Sequence, residues 1–294
     1  MKNLIYIIII LMISATIFIS SCEKANDPVP PAISFKQATG YISANTPAKY
    51  ADTLKFGVTA ASNGTDALVK FHVTVNGQNV FDSTFNSPTF VLNLYSVKTI
   101  LDKEVWKFVA TDIAGNSKTD SIVITGNFGP ITTFANVKLG AQSNTTEKGF
   151  IDFCNCTSPT LYTQADAFLH QADIDMFCFY ENTVGHVNLM TMAAPGSGIT
   201  GIFTGSTSPE LYTIKNITFF VKTTLTAAQF DAVQNDAVIL ASYDAKNQFK
   251  KAKLLTVGDV YAFKLTSGKY GLYKVTAVDG TETGTLQIAV KIQN

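Results

Sequence analysis

The chain contains no arginine: its basic residues are 22 lysines, balanced by 22 aspartates and glutamates. Arginine supplies the planar forks that clamp phosphate and carboxylate and read guanine edges. Its absence argues against nucleic-acid binding and against an arginine-assisted phosphoryl-transfer site. Catalytic signatures are missing too. The chain has no His-Glu-x-x-His, no Gly-x-Ser-x-Gly and no Gly-x-x-x-x-Gly-Lys-Ser/Thr, the patterns that build metalloprotease, hydrolase and phosphate-cradling sites. The three histidines, His72, His170 and His186, are scattered and read as ordinary structural residues. Cys154-Asn155-Cys156 has no second ligand pair at zinc spacing, so no metal site follows from it. No catalytic residue and no cofactor are expected. Beyond residue 19 there is no apolar run long enough to span a bilayer.

What the chain does have is a distinctive start. Met1-Lys2-Asn3 is followed by an almost unbroken apolar run over residues 4–19, then Ser20-Ser21-Cys22. A charged start, an apolar stretch and a small-residue end form a secretory signal rather than a spanning helix. Ile19-Ser20-Ser21-Cys22 resembles a lipobox, which implies a signal peptide over 1–21 and a mature protein lipid-anchored at Cys22. The acyl chains, at about 0.8 kcal/mol per buried methylene, would hold it on the bilayer. Residues 22–32 continue as a polar, proline-rich tether. About 270 residues remain, enough for two domains.

Residues 33–126 show short alternating segments at regular spacing. Strands are expected at 53–59, 68–75, 80–85, 90–94, 104–111 and 117–125. Asn76-Gly77 between two of them is a hairpin signal. Six or seven short strands in about 95 residues indicate a β-sandwich. Val105-Trp106-Lys107-Phe108-Val109-Ala110-Thr111-Asp112-Ile113-Ala114-Gly115-Asn116 resembles the final hairpin of bacterial Ig-like domains. Trp106 is the only tryptophan, and it shares a strand face with Phe108 and Ala110, so it belongs in the core rather than on a sugar-stacking surface. The Asp112 and Asn116 pair reads as turn chemistry rather than a calcium site.

Asn127-Phe128-Gly129-Pro130 marks a boundary, and residues 131–294 read as a strand-rich α+β domain of unknown function. Helices are expected at 163–172, capped by Thr163, and at 226–233, capped by Thr226. Strands are expected at 135–139, 174–180, 187–192, 217–221, 237–243, 260–265, 270–278 and 285–292. The fold class is therefore mainly β, an N-terminal Ig-like sandwich followed by an α+β domain. Three cysteines lie beyond the anchor. Either Cys154 or Cys156 pairs with Cys178, closing a loop of about 20 to 25 residues and adding about 3 kcal/mol, or Cys178 is a buried strand residue with a free thiol.

The closing stretch, Val257-Gly258-Asp259-Val260-Tyr261-Ala262-Phe263-Lys264 and Gly268-Lys269-Tyr270-Gly271-Leu272-Tyr273-Lys274-Val275, resembles the end of uncharacterised domains in surface lipoproteins of Bacteroidota. Those proteins combine a proline-rich tether, an Ig-like domain and a C-terminal domain, and some bind glycans beside SusC/SusD-type uptake machinery. The resemblance implies an outer-membrane, surface-facing location and a glycan or outer-membrane protein partner. It supplies no active site. Asp52-Thr53-Leu54 and Asp120-Ser121-Ile122 resemble the O-glycosylation tripeptide of the same bacteria.

One constellation stands out as a ligand site: Tyr180, Glu181, His186 and Asn188, at the end of an apolar strand running into a turn. Aromatic, carboxylate, imidazole and amide groups together suit hydrogen bonding and stacking to a sugar, and strand ends are where function gathers. Asp173 and Asp175 flank Ile174 at the strand start and are expected to face solvent. The expected function is a non-catalytic envelope lipoprotein that binds a glycan or protein partner through its C-terminal domain. The alternatives are an assembly lipoprotein without a small ligand and a carbohydrate-active hydrolase.

Overall fold

The computed structural model describes residues 29–153, 158–187 and 189–294. The signal segment, Cys22, Cys154, Cys156 and Asn188 lie outside the described residues. The architecture is mainly β. Contacts divide the chain into two compact units, one comprising residues up to Thr46 with Leu54–Tyr95 and Glu104–Val123, the other Pro47–Thr53, Ser96–Lys103 and Ile124–Asn294.

The N-terminal strands are β1 (Ala32–Phe35), β2 (Thr46–Ala48), β3 (Thr53–Ala61), β4 (Leu68–Val75), β5 (Gln78–Ser87), β6 (Thr89–Val97), β7 (Lys103–Asp112) and β8 (Ser117–Gly126). They form a three-stranded sheet in the order β1-β3-β6 and a five-stranded sheet in the order β2-β8-β7-β4-β5. The period-2 pattern read from the sequence is what fills the space between them. Leu54, Phe56 and Val58 of β3 point inward with Trp106, Phe108 and Ala110 of β7. The rings of Phe56 and Trp106 lie 4.7 Å apart, and Phe35 meets Phe108 edge-on at 5.1 Å. Trp106 is thus a core residue. Asn76 (φ 49°) and Gly77 (φ 85°) close the β4–β5 hairpin with the two left-handed residues that a type I′ turn requires. In the β7–β8 turn both carboxylate oxygens of Asp112 accept hydrogen bonds from Asn116, at 2.8 and 3.0 Å.

The C-terminal strands are β9 (Ile131–Gly140), β10 (Phe150–Asp152), β11 (Thr160–Tyr162), β12 (Met176–Tyr180), β13 (Met190–Ala193), β14 (Phe219–Lys222), β15 (Lys251–Ala252), β16 (Val260–Lys264), β17 (Tyr270–Asp279) and β18 (Thr285–Gln293). They make two antiparallel five-stranded sheets, β11-β10-β12-β13-β15 and β14-β16-β17-β18-β9. A core drawn from both sheets lies between them, including Met176, Cys178, Met192, Phe263, Tyr273 and Val290. Each sheet also buries its second face. Phe177 and Phe179 pack with Ala167 of helix α1 (Gln164–Leu169), and Ala262 and Leu272 pack with Phe230 of α2 (Ala227–Asp231) and Ile239 of α3 (Asp236–Ser242). Thr163 caps α1 and Thr226 caps α2 in a full capping box with Gln229, as the sequence predicts.

One expected strand is a helix instead. Residues 237–243 are not a strand: 237–242 lie in α3, Tyr243 is its C-cap, and the N-cap Asn235 accepts from the Ala237 N–H. A short apolar run cannot by itself separate a buried helix from a buried strand, and the Asn-Asp start decides it. Cys154 and Cys156 lie outside the described residues, and Cys178 is a buried free thiol with no surface exposure, the second of the two readings given for it. Strand alternation aims its Sγ into the core, 3.9 Å from the Met190 sulfur. Burial pushes its pKa well above the ordinary thiol value, which keeps it an inert core residue.

Candidate functional site

Strand β12 leaves the sheet at Tyr180, and the next residues build a cavity of about 400 Å³ lined by Glu181, Thr183, His186, Val187, Lys253 and Leu254. Glu181 continues the pairing for one residue, its N–H donating to Leu189 O at 3.1 Å. Its carboxylate is buried, and Oε1 accepts from Thr191 Oγ1 at 3.3 Å and pairs with Lys253 Nζ at 3.2 Å. Gly185 at φ 79° closes the following turn, and the His186 N–H donates to Thr183 O at 3.2 Å, which places the imidazole on the cavity wall. Asn182 is engaged elsewhere, donating to Glu282 Oε1 at 2.6 Å.

The opposite wall comes from the segment after β15. Leu254 adopts φ 56°, a conformation unfavourable for a bulky side chain that persists only where the surroundings impose it, most often beside functional sites. Here it flanks Lys253 at the cavity. The arrangement offers a carboxylate neutralised by an ammonium group, an imidazole and a hydroxyl in a small recess that Val187 and Leu254 also line. These groups have the chemistry to hydrogen-bond a polar ligand. The recess holds one carboxylate, whereas glycoside hydrolysis uses a facing pair.

Glu181 and His186 are therefore brought together as the sequence implies. Tyr180 is not: its side chain packs against the core between the sheets, and its backbone N–H and C=O are both bound by the Gln142 amide. Asn188 is outside the described residues. Lys253 and Leu254 were not foreseeable from the local motif, because β15 reaches β13 by a pairing some sixty residues distant, Met192 with Ala252.

A second cavity of about 290 Å³ is lined by Asp152, Asp173, Asp175, Asn216, Thr266 and Lys269, among others. Asp173 faces solvent and pairs with His170 at 3.4 Å, as expected for a surface residue. Asp175 does not face solvent. It is only 8% exposed, and its Oδ2 accepts the Phe153 N–H at 2.8 Å. Burial pushes its carboxyl pKa up to about 7, Asp152 and Asp173 push it the same way, and the Phe153 N–H and Lys269 oppose them. No cluster of metal-ligating side chains occurs among the described residues.

No protein-family model matches the chain, and no curated protein matches it. Among solved structures, the fibronectin(III)-like modules of Clostridium thermocellum CbhA align with 34% of this chain and 47% of theirs, at 17% identity and a TM-score of 0.24. A cycloalternan-degrading enzyme from Trueperella pyogenes, solved with a covalent intermediate, aligns with 83% of this chain at 10% identity and a TM-score of 0.17. The chain spans about half the length of the first and under a third of the second, 47% and 31%.

Proposed function

We propose that this protein is a lipid-anchored, non-catalytic component of a bacterial cell envelope, and that its C-terminal unit binds a glycan or a partner's polar side chains in the Glu181 cavity. The anchor and the outer-membrane, surface-facing location rest on the lipobox-like Ile19-Ser20-Ser21-Cys22 and the proline-rich stretch after it. The binding role rests on one observation: a buried carboxylate paired to Lys253, with His186 and Thr183, around a recess sized for a single sugar unit or side chain.

The test is a glycan array and an envelope-protein pull-down with the chain starting at Glu23. Specific capture is expected, without turnover of the captured glycan. Glu181→Gln should weaken it by at least about tenfold, because a hydrogen bond to a charged group contributes about 1.5–3 kcal/mol. Retained affinity in that variant, or no capture by any glycan or partner, would remove the cavity from consideration. A second reading, a carbohydrate-active hydrolase, is favoured by Asp152 and Asp175 in the 290 Å³ cavity, where one carboxyl holds its proton near neutrality. Polysaccharide turnover lost in Asp175→Asn would establish that reading in place of the first.

A further inference from the structure

The outer face of the β1-β3-β6 sheet carries an arrangement that the core does not require. Gly57 sits in the middle of β3, where a glycine weakens a strand unless something must approach its backbone closely. Something does. A Cβ on Gly57 would lie 2.9 Å from Cδ1 and Cε1 of the Tyr41 ring and 2.8 Å from Cβ of Lys36. A turn brings Tyr41 there: its N–H donates to Ala38 O at 3.0 Å, Gly40 takes φ 82°, and the chain rejoins the sheet where the Ile42 N–H meets Lys55 O. The Tyr41 hydroxyl donates to Asn93 Oδ1 on β6 at 3.1 Å, fixing the ring across the sheet.

Two ammonium groups converge on that ring, Lys36 at 4.3 Å and Lys55 at 4.2 Å from its centroid, and Lys55 also lies 5.2 Å from the ring of Tyr95. Burial alone would raise the Tyr41 hydroxyl pKa, yet the two lysines hold it below its ordinary value. Among the described residues neither lysine has a carboxylate partner. Along β6, Val91, Asn93 and Tyr95 point outward, Val91 65% and Tyr95 58% exposed. That row is about 13 Å long at the strand rise. The surface is therefore extended, aromatic and positively charged, with no carboxylate partner for its lysines among the described residues.

We propose that this face binds an acidic polysaccharide, with Lys36 and Lys55 pairing to uronate carboxylates and Tyr95 and Val91 packing against the sugar rings. An extended row suits a linear polymer rather than a small anion. The aromatic and amide groups suit a sugar chain rather than bare charge, and the two lysines supply point charges for its carboxylates. Exposed cation–aromatic clusters of this kind contribute through both charge and stacking. The site shares no residue with the Glu181 cavity.

The experiment is affinity electrophoresis of the chain starting at Glu23 through gels holding polygalacturonate, alginate or hyaluronate, with methyl-esterified pectin and polyphosphate as comparison arms. Retardation by at least one of the three acidic polysaccharides is expected, with much less by the esterified polymer, and it should fade as salt rises. The double variant Lys36→Gln/Lys55→Gln should lose about tenfold or more in affinity, and Tyr95→Ala about three- to tenfold. Gly57→Val, whose side chain displaces the Tyr41 ring, should also weaken binding. Circular dichroism on each variant separates lost binding from lost fold. The proposal is overturned by no retardation in any acidic gel, by full retention in the double variant, or by equal retardation in polyphosphate that Tyr95→Ala does not alter. It is also overturned if Glu181→Gln, rather than the lysine pair, abolishes the interaction, which would assign the polymer to the C-terminal cavity.

Discussion

Phe263→Ala should lower the unfolding free energy of the C-terminal unit by about 3–5 kcal/mol, the cost of emptying an aromatic site in a packed core. Phe263 has no exposure and is stacked on Phe153 at 5.9 Å between the two five-stranded sheets. Its neighbour across the β16–β17 pair is Gly271, and the ring lies over the space a side chain would occupy there. A Cβ on Gly271 would meet Cζ of the ring and come within 2.7 and 2.8 Å of its Cε atoms. Gly271→Ala should therefore destabilise by about 1–3 kcal/mol through overpacking, although alanine is the better strand residue. In the Phe263→Ala background the clash is gone, and Gly271→Ala should become nearly neutral. Urea denaturation of the four proteins of this cycle, followed by near-ultraviolet circular dichroism, measures the coupling. Additive effects would mean that the ring and the glycine do not share that space.

The same pair shows why the two units were unequally legible. In the sandwich each strand buries one face, so alternation fixes both strand and orientation: Leu54, Phe56 and Val58 inward, Thr53, Lys55 and Thr59 outward. Asn76-Gly77 supplied the hairpin outright. In the C-terminal unit the central strands bury both faces. β12 is Met-Phe-Cys-Phe-Tyr with no polar break, and the sequence cannot say which core each residue serves. Residues 237–243 suffered from the same loss of pattern, and only the cap at Asn235 marks them as helix.

The candidate site was legible to the extent that it is local. Glu181 and His186 are separated by four residues that turn the chain back, and their meeting follows from it. Tyr180 precedes Glu181 by one residue, and strand alternation sends the two side chains to opposite faces. Tyr180 therefore joins the inter-sheet core with Cys178. Lys253 arrives through non-local pairing, and nothing near Glu181 announces it. The face around Tyr41 was hidden for a related reason. Gly57 reads as an ordinary weak point in a strand until the 38–41 turn is seen to lay a ring across it.

Asp175 should make stability fall as pH rises, opposite to the usual carboxylate. Its folded pKa of about 7 stands above the ordinary 3.8 because burial disfavours the charged form. The folded state therefore binds the proton more tightly than the unfolded chain. The stabilisation is fully present below about pH 4 and is lost progressively as pH rises through about 7. A shift of that size corresponds to about 4 kcal/mol. Asp175→Asn keeps an acceptor for the Phe153 N–H and carries no charge, so it should match the parent protein near pH 4 and exceed it by several kcal/mol at pH 8. Paired urea titrations at pH 4, 6 and 8 measure this difference, and parallel curves for the two proteins would show that Asp175 ionises without cost. The result also bears on function. A carboxyl still protonated near neutrality beside Asp152 can donate a proton to a bound group. If Asp175→Asn only stabilises, and removes no binding or turnover, the 290 Å³ cavity is a structural recess and the polar chemistry of this unit belongs to Glu181.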